Sequence, residues 1–151
     1  LIEYPDVMWL ESLPNCRRIE IIQTYLKSDN GDEVRVRQRG IDGHFIYFKT
    51  IKRTLEGAKR VEIEKRLTRD EYLSLLMEAD TSRRQIRKTR YCLTEQSRYF
   101  EIDVYPFWND RAIMEIELAS EDEEIVIPEG IRVIREVTDD PSYKNAALAK
   151  I

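Results

Sequence analysis

Apolar and charged residues alternate in at least five segments of this chain. The charged pairs are Arg35/Arg37, Glu62/Glu64, Lys88/Arg90, Glu101/Asp103 and Glu115/Glu117. Between and beside them stand Val34, Val36, Val61, Ile63, Phe100, Ile102, Val104, Met114, Ile116 and Leu118. Side chains of a strand point alternately to its two faces, so this period predicts sheet with one apolar and one ionised face. One such pair is the ordinary solvated face of a half-buried antiparallel sheet. Several of them, carrying both signs, suit a polyanion that binds together with a divalent cation.

Strands are expected over residues 19–26, 33–40, 45–52, 60–67, 85–93, 98–105, 112–119 and 131–138. Turn signals at Asn30-Gly31, Asp42-Gly43 and Asn109-Asp110 make hairpins of neighbouring strands, and a looser loop falls around Glu56-Gly57. Asp6 is placed to cap a short helix through Val7, Met8, Trp9, Leu10 and Leu13 that Pro14 and Asn15 stop. Thr68 and Glu71 have the spacing of a capping box at the head of a helix whose Tyr72, Leu73, Leu75, Leu76 and Ala79 need an apolar partner. Asp140-Pro141 opens a short closing helix, with proline where its missing N–H is harmless.

The fold class is therefore α+β, mainly antiparallel β. Eight strands laid flat would leave two long exposed edges, so the expected arrangement is a closed eight-stranded tunnel-like barrel. The helices need the apolar face, which turns the charged face inward and puts the helices outside. Such a lumen is costly unless its charges are matched. Arg35, Arg37, Lys52, Arg60, Lys88 and Arg90 stand against Glu62, Glu64, Glu101, Asp103, Glu115 and Glu117, six of each sign.

Length and composition narrow the class. At 151 residues the chain reads as one domain, able to bury about two thirds of its unfolded surface. A net charge of −4 argues against a general nucleic-acid binder. Cys16 and Cys92 lack metal-ligand spacing and point to a reducing, cytoplasmic setting. With apolar runs too short to span a bilayer, no membrane partner is expected. His44 reads as a surface residue beside a turn, Trp9 and Trp108 as packing residues, and Lys49 as an outward or rim residue, out of phase with Lys52. The Glu121-Asp122-Glu123-Glu124 run reads as a solvated loop.

In order along the chain, Ile22-Gln23-Thr24-Tyr25-Leu26, Val34-Arg35-Val36-Arg37, Thr50-Ile51-Lys52, Glu62-Ile63-Glu64, Lys88-Thr89-Arg90-Tyr91, Glu101-Ile102-Asp103, Glu115-Ile116-Glu117 and Glu136-Val137-Thr138 with Tyr143 and Asn145 resemble the CYTH superfamily, the triphosphate tunnel metalloenzymes. The resemblance covers roughly residues 18–148. It implies a single domain over residues 1–151 that hydrolyses a small-molecule triphosphate, foremost inorganic triphosphate to diphosphate and orthophosphate, with Mg²⁺ or Mn²⁺ as cofactor. Arg35, Arg37, Lys52, Lys88 and Arg90 would grip phosphate oxygens. Glu115, Glu117 and Asp103 would be catalytic, and Glu62, Glu64, Asp103, Glu115 and Glu117 would hold the metal.

The chain departs from the family pattern in two places. The family's N-terminal Glu-x-Glu-x-Lys strand has no counterpart, and Leu1-Ile2-Glu3-Tyr4-Pro5 looks like the stretch that follows it, so the expectation is a domain shown without its first strand. Ser142 stands where relatives carry Arg. Two other readings stay open, a non-catalytic polyphosphate- or nucleotide-binding module of a larger protein and an adenylate cyclase. A homodimer is among the assemblies the sequence allows.

Overall fold

The computed structural model describes residues 1–56, 59–118 and 123–150. Eight strands form an antiparallel sheet in the order β1-β8-β7-β6-β2-β3-β4-β5. In chain order these are β1 (Ile2–Glu3), β2 (Cys16–Tyr25), β3 (Glu33–Ile41), β4 (His44–Thr54), β5 (Arg60–Leu67), β6 (Ile86–Glu95), β7 (Arg98–Val104) and β8 (Arg111–Ile116). The helices α1 (Val7–Ser12), α2 (Arg69–Leu75) and α3 (Asn145–Leu148) are short. None of the described helices is long and apolar enough to cross a membrane.

The strand order is open, and the closed barrel expected from the sequence is not formed. Strands β1 and β5 end the order, and no ladder joins them among the described residues. Hydrogen-bond accounting supplies a reason. Strand β1 is two residues long and pairs with β8 on one side. Its other side is taken by the chain at 132–135, where Glu3 N–H donates to the Arg132 carbonyl and Ile134 N–H donates to the Leu1 carbonyl. The final strand expected over residues 131–138 is accordingly reduced to one bridge, Ile2 to Val133, and β1 is the strand that the sequence pattern did not announce.

The chain divides into two compact units, one of Leu1–Glu20 with Lys88–Asp140 and one of Ile21–Arg87 with Pro141–Ile151. In the first unit, Tyr91, Ile102 and Met114 stand opposite one another across β6, β7 and β8, and so do Leu93, Phe100 and Ile116. Their shared face packs Ile2, Leu10, Tyr91, Ile102, Ala112 and Ile131 into one core, with Val7, Trp9 and Leu13 of the α1 region against it. Asp6 caps α1 by accepting from the Trp9 N–H at 3.1 Å. Trp9 is a packing residue, as expected, and a Cβ at Gly130 would lie 3.2 Å from its ring.

In the second unit, Leu26, Val36, Leu67 and Tyr72 make the core, with Val34, Tyr47, Leu75 and Leu76 around it. The capping box forms: Glu71 N–H donates to Thr68 Oγ1 at 3.1 Å and Thr68 N–H donates to Glu71 Oε1 at 3.0 Å. Asp42 and Gly43 both have positive φ, +52° and +80°, the two-residue turn that matches strand twist. The β6–β7 hairpin turns instead on Gln96 and Ser97, at φ +49° and +61°. Neither residue type is a strong turn signal, which is why that hairpin is hard to read in the sequence. Gly57, Ala119, Glu121 and Asp122, named in the loop, strand and acidic-run expectations, lie outside the described residues.

Candidate functional site

Each unit carries a charged face opposite its helix-covered one, and each is described by itself. In the first unit, register puts Arg90 across from Asp103, Cys92 across from Glu101, and Glu101 across from Glu115. The even-numbered residues of β6 therefore share a face with Glu101, Asp103 and Glu115. Lys88 Nζ donates to Asp103 Oδ2 at 2.8 Å. Arg90 clasps the same carboxylate, Nε to Oδ1 at 2.7 Å and Nη2 to Oδ2 at 3.0 Å. Its Nη1 also meets Glu101 Oε2 at 2.6 Å. The ammonium and the carboxylate are almost wholly buried, at 1% and 4% side-chain exposure.

Burial would push the Asp103 carboxyl up, but the hydrogen bonds of Arg90 and the charges of Lys88 and Arg90 outweigh it and hold it below the ordinary carboxylate range. Against its own burial, Arg90 is held charged by the hydrogen bonds and charge of Asp103 and by the charges of Glu101 and Glu115. Burial pulls the Lys88 ammonium down, with Asp103 resisting and Arg90 adding to the fall. The directions for Lys88 and Asp103 pull against one another. A carboxylate clasped by two cations is the firmer of the two, so Asp103 is ionised at neutral pH.

In the second unit, the charged face runs in rows across three strands. Glu33, Lys52 and Glu62 form one row, Arg35, Thr50 and Glu64 the next, and Arg37, Phe48 and Arg66 a third. Lys49 is on the other face, opposite Val36 and Lys65, in keeping with its expected phase. Arg37 Nη2 meets Glu64 Oε2 at 3.4 Å, Thr50 Oγ1 donates to the same oxygen at 3.4 Å, and Lys52 lies 3.9 Å from Glu33. These are loose contacts on a partly solvated surface, with Glu64 44% exposed. The Arg35 Nε is buried and has no hydrogen-bond acceptor among the described residues.

The structure thus brings together Lys88, Arg90 and Asp103 with Glu101 and, by register, Glu115. It separately brings together Arg35, Arg37, Lys52, Glu62 and Glu64. Glu117 follows the end of β8 and is exposed. Glu101, counted from the sequence among the inward charges but given no part in the site, belongs to the first cluster, and Thr50 and Glu33 belong to the second without having been assigned a role from sequence. The spacing of two that flagged its neighbours could have flagged Glu33 as well.

The donor chemistry for a hard cation divides along the same lines. Both Asp103 oxygens are already bound by Lys88 and Arg90, which leaves little of the carboxylate for a metal. Glu115 and Glu117 retain oxygen donors, and Mg²⁺ characteristically takes only one or two carboxylates, completing its shell with water and phosphate. Among the described residues no group of three or more carboxylate, histidine or cysteine side chains is placed to hold a metal ion. An aromatic cleft of about 500 Å³ lined by Tyr4, Thr89, Tyr105 and Trp108 also belongs to the first unit. Its Thr89 and Val104 lie on the face opposite Arg90 and Asp103. The chain matches no family model, no curated protein and no solved structure.

Proposed function

We propose that this protein binds a triphosphate through the cations of its strands and hydrolyses it with Mg²⁺ or Mn²⁺, inorganic triphosphate giving diphosphate and orthophosphate. The observation that carries the reading is Arg35, a permanently charged side chain with a buried N–H that has no acceptor among the described residues. Leaving such a donor unpaired is costly. A phosphate oxygen is the acceptor that matches both its charge and its fork of donors. Arg37 and Lys52 lie on the same face of that unit. The resemblance to the triphosphate tunnel metalloenzymes drawn from the sequence supports the same substrate class.

In this reading Glu115 and Glu117 would hold the metal, which supplies charge neutralisation on the transferred phosphoryl group. Asp103 serves differently, by keeping Lys88 and Arg90 charged and oriented. Phosphate release from inorganic triphosphate, ATP and thiamine triphosphate with Mg²⁺ or Mn²⁺ tests the proposal. Glu115→Gln or Glu117→Gln is expected to abolish turnover and to leave triphosphate binding in place. Turnover unaffected by both changes would contradict it. Cyclic nucleotide with diphosphate as the products from ATP would instead mark a cyclase.

The engagement of Asp103 by two cations favours one second reading, a binding module without catalysis. That reading predicts tight triphosphate binding with no phosphate released under any metal.

A further inference from the structure

Gln23 on β2 is wholly buried at 0% exposure, yet its Oε1 has no hydrogen-bond donor among the described residues. The other end of the carboxamide is engaged, with Nε2 donating to Tyr25 Oη at 2.8 Å. Tyr25 is itself buried at 3% exposure, and its hydroxyl accepts from Gln23 with the charge of Arg35 nearby. Burial, with the charge of Glu33, keeps that phenol protonated against the pull of Arg35 and Gln23. The hydroxyl thus accepts from the amide while still carrying a proton to give. Among the described residues three neighbouring groups are poorly matched: an amide oxygen without a donor, a phenol proton turned toward an amide donor, and the Arg35 Nε–H without an acceptor. Buried polar groups are rarely left so unless something completes them.

Half a turn of the carboxamide resolves two of the three. Oxygen and nitrogen of an amide exchange places with almost no change of shape. Tyr25 then donates its own proton to Gln23 Oε1, and an amide N–H takes the place of the donorless oxygen. The site becomes two donors, the Gln23 Nε2–H and the Arg35 Nε–H, with no buried acceptor left over. Two fixed donors in a buried, cationic setting select an oxyanion.

We infer that Gln23 is a binding residue for a phosphate oxygen, its carboxamide turned by Tyr25 so that it donates beside Arg35. This rests on the triphosphate reading above and adds to it a neutral donor that the charge pattern does not reveal. A neutral carboxamide fixes the place of one oxygen without adding charge, which makes Gln23 a determinant of register for the bound phosphate chain.

The test is titration of the full chain with inorganic triphosphate in metal-free buffer, for the wild type, Gln23→Met and Arg35→Met, each checked by thermal unfolding. Gln23→Met preserves length and leaves no unpaired carbonyl. Its affinity is expected to fall roughly 10- to 100-fold, the loss of one hydrogen bond to a charged group, with Arg35→Met falling at least as far. Affinity unchanged in Gln23→Met while Arg35→Met loses it overturns this inference and spares the triphosphate reading. A wild type that does not bind triphosphate overturns both. Should Gln23→Met fail to fold, the wild-type side-chain amide signals of Gln23 followed by nuclear magnetic resonance decide the matter. Movement of those signals in step with triphosphate supports the inference, and signals that stay fixed while the Arg35 Nε–H moves overturn it.

Discussion

The two charged faces arise from the same alternation of residues and come to opposite ends. On β6 and β7 the charges turn on one another: Lys88, Asp103 and Arg90 form a closed, buried group in which every named contact is 3.0 Å or shorter. On β3, β4 and β5 they spread into rows whose contacts run from 3.4 to 3.9 Å and whose carboxylates are partly solvated. Depth makes the difference. A charge removed from water must find its partner within the protein, whereas a charge at the surface keeps its water and loses little by standing apart. The first face is therefore chiefly a held arrangement of cations, and the second keeps its capacity to bind.

That contrast can be broken most directly at Asp103. Asp103→Ala leaves Lys88 buried without its carboxylate, and a loss of about 3–5 kcal/mol is expected in urea denaturation. A loss below about 1 kcal/mol would mean that the group is as solvated as the face on β3–β5. For binding the ranking reverses. Arg35→Met is expected to weaken inorganic triphosphate roughly 10- to 100-fold while leaving stability little changed, because its Nε–H has no acceptor to lose among the described residues.

Acid sharpens the same distinction. Asp103 has its carboxyl lowered in the folded state, so its stabilisation is complete above the unfolded value of about 3.9 and is lost as pH falls through the lower folded value. Stability measured from pH 6 downward should fall steeply in that acid range. Asp103→Asn should flatten this part of the curve, and an unchanged curve would assign acid sensitivity to other carboxylates. The smallest effect is expected at Glu64. Glu64→Gln should cost less than about 1 kcal/mol, and that cost should shrink further in 1 M salt, where exposed pairs are screened.

Much of the fold is legible along the chain because its signals are local. The β5 strand at Arg60–Leu67, the Thr68 capping box and the Asp42-Gly43 turn depend on residues a few positions apart, and each appears where the pattern places it. The Gln96-Ser97 turn was not legible, since the left-handed backbone there is imposed by the strands it joins. Strand β1 was not legible either, because two residues carry no period. The Arg98–Glu123 ion pair draws part of the acidic run out of its expected solvated role, a contact between segments that no local signal announces.

Alternation of polar and apolar residues is enough to say which side chains share a face, since the geometry of a strand leaves no other choice, and Arg35 with Glu64 or Arg90 with Asp103 follow from it. Only the folded structure decides what those side chains do to one another, because that depends on burial and on distances across strands far apart in the chain. It bound both oxygens of Asp103 to Lys88 and Arg90 and, among the described residues, left the Arg35 Nε–H without an acceptor and the buried Gln23 Oε1 without a donor. It also left the strand order open, because the outer side of β1 is satisfied by the chain at 132–135.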